Sequence, residues 1–176
     1  MIEGTLVRLR AMTPDDYPLM TAFKNDVEME LLGGGDPPRP HTLAGVTEFF
    51  DGMARQKPIH FAIEADGTLI GDCGLHSLDV RSGTAELGIG IGDRAYLGRG
   101  YGREAVRLLV DWGFRMHNLR KIWLQVYASN ERAVRSYAAA GFVEEGRLRA
   151  HVWSAGGYED LLQMAVFRDE PASEPR

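Results

Sequence analysis

The sequence predicts an α/β (α+β) protein, a single domain built on a mixed, mostly antiparallel sheet with helices on both faces. Three observations carry that prediction. Strand-like segments joined by tight turns follow one another between residues 60 and 91. A helical repeat of apolar residues from Tyr101 to Met116 leads into a buried strand, and a late strand-helix-strand unit follows it. A length of 176 residues suits one domain, read as 1–168, with a short tail at 169–176 rich in Pro, Ser and Glu that reads as disordered.

The elements can be justified in order. Leu6, Arg8 and Arg10 alternate with Val7 and Leu9, so Thr5 to Arg10 reads as a first strand. Thr13 is the expected cap of a helix that begins at Pro14 and carries Asp15 and Asp16 in its electropositive first turn. The Gly- and Pro-rich stretch from Gly33 to Pro40 is a loop by chemistry. A second helix, with Val46, Phe49, Phe50 and Met53 on its apolar face, starts near Thr42.

His60 to Glu64 and Thr68 to Gly71 flank Asp66-Gly67, a dipeptide favoured in tight hairpins because both residues tolerate positive φ. A second turn at Arg81-Ser82-Gly83 leads into Thr84 to Ile91. Ala105, Leu108, Leu109, Trp112 and Met116 recur at helical spacing, and Lys121 to Ala128 reads as a buried strand. Asn130 stands at an N-cap position before a helix that Gly141 stops. Phe142 to Val152 and Tyr158 to Arg168 then form a hairpin about Ala155-Gly156-Gly157.

Composition narrows the function classes. With 44% hydrophobic and 26% charged residues, and 21 glycines in no collagen-like period, the chain is neither disordered nor fibrous. The formal charge of −5 argues against binding a phosphate backbone, so no nucleic-acid partner is expected; it suits a cationic or amine-bearing one. No apolar run approaches the roughly 20 residues of a membrane-spanning helix. The start MIEGTLVRLR has no apolar signal core, so no membrane partner and a cytoplasmic location are expected. A lone Cys73 cannot form an internal disulfide. The five histidines show no ligand spacing, so no metal is expected. Edge strands of such a sheet leave room for a homodimer.

The glycines concentrate between Gly88 and Gly102, immediately before the long helix. Gly98-Arg99-Gly100-Tyr101-Gly102-Arg103 can curl its backbone so that several N–H groups converge, and the helix terminus adds partial positive charge. Arg99 and Arg103 can contact an anion from the side. The plain alternative is a loop that only turns a corner. A Walker loop is excluded, because neither its Lys nor its hydroxyl follows the glycines. Gly90-Ile91-Gly92-Asp93-Arg94-Ala95 matches G-x-G-x-x-A, but the acidic residue at the expected distance, Asp111, falls inside a helix rather than at a strand end.

Leu97-Gly98-Arg99-Gly100-Tyr101-Gly102, the following helix and strand, and then Asn130-x-x-Ala133-x-x-x-Tyr137-x-x-x-Gly141-Phe142 together resemble the GNAT superfamily of acyl-CoA N-acetyltransferases over about the second half of the chain. The flanking segments most resemble its ribosomal-protein N-terminal (RimJ/RimL-like) and spermidine acetyltransferase branches. Leu97 departs from the pattern, since the family commonly has Gln or Arg there.

The resemblance implies a GNAT-like fold, acetyl-CoA as cofactor and an amine substrate, either a peptide N-terminus or a small molecule. It implies direct transfer of the acetyl group, with Tyr137 as general acid toward the thioester sulfur. It further implies a backbone N–H along Ile89 to Ile91 for the carbonyl oxygen, a pyrophosphate site on residues 98–103, and a pantetheine contact from Asn130, which by pattern also caps its helix. Glu86 is the candidate base; Asp72 and His76 are rivals. Cys73 as an acyl carrier has no neighbouring histidine in sequence to activate it. The acidic run Asn25 to Glu30 is either a receiver for a cationic substrate or a solvated helix end. Two other functions stay open: a polyamine or antibiotic acetyltransferase, and a non-catalytic acyl-CoA-binding sensor.

Overall fold

A computed structural model describes residues 1–33, 37–56 and 59–168, so the expected tail at 169–176 lies outside the described residues. The chain runs β1 (Ile2–Glu3), β2 (Arg8–Arg10), a 3-10 turn at Pro14–Asp16, α1 (Tyr17–Lys24), α2 (Val27–Gly33), α3 (Leu43–Arg55), β3 (Ile59–Ala65), β4 (Thr68–Asp79) and β5 (Thr84–Ile91). A 3-10 turn at Arg94–Tyr96 follows, then α4 (Tyr101–Met116), β6 (Lys121–Tyr127), α5 (Glu131–Ala139), β7 (Val143–Ser154) and β8 (Gly157–Phe167). The strands form one sheet in the order β1-β2-β3-β4-β5-β6-β8-β7. Every neighbouring pair is antiparallel except β5 and β6.

Local chemistry sets most of these boundaries. Asp66 and Gly67 take φ of 51° and 76°, the left-handed pair that reverses the chain tightly between β3 and β4. The Thr42 hydroxyl accepts the Gly45 N–H at 3.1 Å and starts α3, and the Asn130 side chain accepts the Ala133 N–H at 3.2 Å to start α5. Three readings need correction. The strand read over Thr5 to Arg10 is the shorter β2, Arg8–Arg10, preceded by β1, because the N–H groups of Thr5, Leu6 and Val7 are taken by the Glu104 carboxylate instead of a neighbouring strand. Thr13 is the N-cap as read, but of a 3-10 turn that leads into α1 rather than of the helix itself, and its N–H and hydroxyl both donate to the Asp16 carboxylate. A helix not anticipated from the sequence, α2, occupies the acidic run.

The strands sort their side chains onto two cores. On one face α4 packs Ala105, Val106 and Leu109 against Ile63, Ile70, Leu75, Leu87 and Ile122. Each large buried aliphatic chain there contributes about 1.5–3 kcal/mol of transfer free energy. The helix approaches closely because position 113 has no side chain: a Cβ on Gly113 would lie 2.9 Å from Leu75 and 3.0 Å from Ile122. On the other face Tyr17, Met20, Val46 and Phe50 of α1 and α3 cover Ala62 and Leu69. Helices therefore flank both faces, as the sequence predicts.

The β5–β6 contact positions the site. Parallel pairing covers only Thr84–Glu86 against Lys121–Trp123. Beyond it, Leu87 to Ile91 stays paired with β4, while β6 stays paired with β8 as far as Tyr127. Each strand holds to its outer neighbour, so the sheet parts in the middle and leaves two facing, unpaired strand edges.

Candidate active site

The parted strands open into a cavity of about 560 Å³. Ile89, Gly90 and Ile91 line one wall and Gln125 to Tyr127 the other. The loop from Leu97 to Gly100 closes one end, α5 forms the side, and Met29 and Leu32 of α2 lie over it. Four arginines line this cavity, at 99, 103, 132 and 135, and among the described residues no carboxylate does. In a chain of net charge −5, that is a concentrated anion-attracting surface.

The loop is built for close approach. Gly98 and Gly100 take φ of 71° and 95°, conformations that other residues rarely adopt. Gly100 is the N-cap of α4 and brings no capping side chain, in contrast to Thr42 at α3 and Asn130 at α5. The first intrahelical bond runs from the Glu104 N–H to the Gly100 carbonyl at 3.0 Å, which leaves the N–H groups of Tyr101, Gly102 and Arg103 without intrahelical partners. Uncapped donors, the helix dipole and flanking arginines fit a pyrophosphate. The Arg99 guanidinium rests 5.7 Å above the Tyr101 ring and donates to the Ala95 carbonyl at 3.2 Å.

Of the residues singled out by sequence, Glu86, its rivals Asp72 and His76, Cys73 and Tyr101 do not line the cavity; Tyr137, Asn130, Ile89, Ile91 and the other residues of the 98–103 loop do. The Tyr101 ring turns into the core, edge-on to Tyr96 at 5.0 Å, so only its backbone is offered to the loop. Glu86 sits at the last position of β5 paired with β6, on the face opposite α4, opposite His76 and 3.2 Å from the Ser77 hydroxyl. Tyr137 projects from α5 into the cavity, 6.0 Å from the Phe142 ring. Burial pushes its phenol up to about 12, so the hydroxyl keeps its proton at neutral pH. Asn130 donates to the Leu32 carbonyl at 3.0 Å, tying the end of α2 to the start of α5. Cys73 is buried, and desolvation together with Asp72 pushes its thiol up, which withholds the thiolate an acyl carrier needs.

Sequence reasoning passed over one feature. Arg132 and Arg135 stand three residues apart on α5 and reach the same cavity; the spacing in ERAVR after an N-cap was the available signal. The acidic run is more than a solvated end. Arg94 bonds Asp26 at 2.5 and 2.8 Å and Glu28 at 2.7 Å, holding α2 beside the loop. The Arg94 hydrogen bonds hold the Asp26 carboxyl below its usual range.

Comparison with known proteins agrees with this geometry. The acetyltransferase (GNAT) domain model matches residues 7–143. Spermidine N(1)-acetyltransferase of Escherichia coli K12 is 32% identical over 169 residues, 96% of this chain and 89% of that protein. A putative ribosomal N-acetyltransferase of Bacillus subtilis is 30% identical over 105 residues, 60% of this chain and 57% of that one. The crystal structure of spermidine N-acetyltransferase from Vibrio cholerae in complex with CoA and spermine superposes with a TM-score of 0.84 at 26% identity, covering 93% of this chain and 96% of that chain. No helix among the described residues is long and apolar enough to cross a membrane. The domain match and the full-length similarity agree with the split sheet and its arginine-lined cleft: the chain belongs to the GNAT acetyltransferase family and is an acetyl-CoA-dependent N-acetyltransferase.

Proposed function

We propose that the protein N-acetylates a small cationic amine of the polyamine kind by direct transfer, with Tyr137 as general acid and Glu86 as the base. Tyr137 carries the reading: a neutral phenol in the cavity that holds the arginines and the uncapped end of α4. Acetyl-CoA supplies an activated acetyl thioester. The N–H groups of Tyr101 to Arg103, with Arg103, Arg132 and Arg135 beside them, hold its phosphates. The unpaired edge of β5 at Ile89 to Ile91 supplies a backbone donor for the carbonyl oxygen, where negative charge grows in the transition state. As the new C–N bond forms and the C–S bond breaks, Tyr137 gives its proton to the sulfur, and the proton lost by nitrogen passes to Glu86 directly or through water. Glu86 stands off the cavity wall, which favours the water route.

The polyamine acceptor is favoured by similarity to spermidine acetyltransferases along nearly the whole chain, whereas the ribosomal relative aligns over 60% of it. Release of free thiol from acetyl-CoA, measured across spermidine, spermine, simple alkyl amines and short peptides with free N-termini, tests the reading. Turnover of polyamines, with Tyr137→Phe lowering kcat about 10²–10⁴-fold at unchanged acetyl-CoA affinity, is the expected result. Preference for peptide N-termini would replace the polyamine assignment, and full activity of Tyr137→Phe would remove the tyrosine from the chemistry.

A further inference from the structure

The face of the sheet opposite α4 carries a bare patch beside the cavity. In the β4–β5 register Gly74 lies opposite Gly88, Asp72 opposite Gly90, and His76 opposite Glu86. Ala85 and Leu87 point to the α4 core, so by the alternation of strands these partners all share the other face. At Gly90 the sheet presents exposed backbone with no side chain over it, while the His60 ring lies over Gly74 and the His76 ring over Gly88. The walls of this floor are polar. His76 Nε2 lies 3.2 Å from where a Cβ on Gly88 would stand, and Asp72 Oδ1 lies 3.7 Å from that of Gly90. Gly90 also lines the cavity into which Tyr137 projects.

Asp72 is held by its partner. Its Oδ2 meets Nε2 of His60 at 2.8 Å; the His60 side chain is 7% exposed and Asp72 32%. The imidazole is backed by Phe50 at 5.7 Å, and Phe50 stacks on Tyr17 at 5.3 Å. A ring packed this way fixes one carboxylate oxygen. Oδ1, on the Gly90 side, makes no hydrogen bond among the described residues.

We propose that Asp72 Oδ1 binds an ammonium group of the acceptor amine, that the alkyl chain beside it lies against the bare backbone at Gly90, and that His60 is the positioning residue for Asp72. The inference rests on the reading of the acceptor as a cationic alkyl amine and names where that cation is held. A carboxylate with one oxygen tethered and the other free binds an ammonium strongly and with direction. A floor without side chains lets a narrow chain lie against backbone. A Cβ at Gly90 would stand 3.7 Å from Asp72 Oδ1, so glycine at that position keeps the approach to this oxygen open.

The test uses the full-length protein at saturating acetyl-CoA, with whichever amine the wild type acetylates. Losing one charged hydrogen bond predicts that Asp72→Asn raises the acceptor KM by about 10–100-fold, with the acetyl-CoA KM unchanged. His60→Gln keeps an N–H donor and is expected to retain acceptor affinity, whereas His60→Leu is expected to lose it. Calorimetric titration of spermidine into the CoA-loaded protein gives a readout independent of turnover. An unchanged acceptor KM in Asp72→Asn, or a parallel loss of acetyl-CoA affinity, overturns the proposal. If the wild type prefers peptide N-termini, the polyamine reading fails while the Asp72 assignment is judged by the peptide KM. Equal behaviour of His60→Gln and His60→Leu would remove the positioning role.

Discussion

Glu104 Oε2 accepts the backbone N–H of Val7 at 2.8 Å, and the same carboxylate takes the N–H groups of Leu6 at 2.6 Å and Thr5 at 2.9 Å. A side chain in the first turn of α4 therefore holds a segment almost a hundred residues earlier in the chain, next to the loop proposed to hold the phosphates. Glu104→Ala removes a charged acceptor from three donors. It is expected to cost at least the about 1.5–3 kcal/mol of one charge-assisted hydrogen bond, read as a lower urea midpoint, with a weaker effect for Glu104→Gln. An unchanged midpoint would mean that water replaces the carboxylate at no cost.

At the phosphate loop, Gly100→Asp combines a side chain at φ of 95° with a negative charge at the uncapped helix end. The backbone strain alone costs about 1–2 kcal/mol, and Gly100→Ala measures that part separately. Acetyl-CoA affinity, followed by calorimetry, is expected to fall more than about tenfold further in the Asp variant through like-charge repulsion. Equal affinities for the two variants would show that charge at this position does not matter and would sink the phosphate-loop assignment.

Burial lifts the Tyr137 phenol from 10 to about 12. The neutral form is favoured in the folded protein, so stability is unaffected below the unfolded value. It falls between pH 10 and about 12, where the unfolded chain loses that proton first. Denaturant titrations of wild type and Tyr137→Phe across this range are expected to diverge, with the Phe variant lacking this part of the decline. Parallel curves would place the phenol in contact with solvent.

Asp16 and Arg10 pair through both guanidinium nitrogens at 2.8 Å, with Glu64 on the remaining edge of Arg10. Burial raises the Asp16 carboxyl, but Arg10 and the Thr13 donors outweigh it and hold it below 3.8. The resulting stability is present above that unfolded value and is lost as pH falls through the lower folded one. Asp16→Asn leaves Arg10 half-paired and is expected to cost about 3 kcal/mol near pH 7, the low end for one lost partner of a buried pair. The gap to wild type should close in acid, and a gap independent of pH would assign the loss to packing.

Much of the molecule was legible one segment at a time. The α4 boundaries, the Asp66-Gly67 hairpin and the caps at Thr42 and Asn130 follow from side-chain period, turn chemistry and hydrogen-bonding geometry within a few residues. The glycine loop and Tyr137 could be singled out for the same reason, since each belongs to a short pattern with local spacing. Arrangements that join distant segments could not be read this way. They include the insertion of β8 between β6 and β7, the end of β5–β6 pairing at Glu86 and Trp123, the meeting of Arg103 with Arg132 and Arg135, and the capture of Thr5 to Val7 by Glu104. The sequence by itself determined most of the helices and strands and singled out the residues proposed to carry the chemistry. Only the tertiary structure decided where the sheet parts and which charges converge in the gap, because register between distant strands is set by competition among all their partners at once.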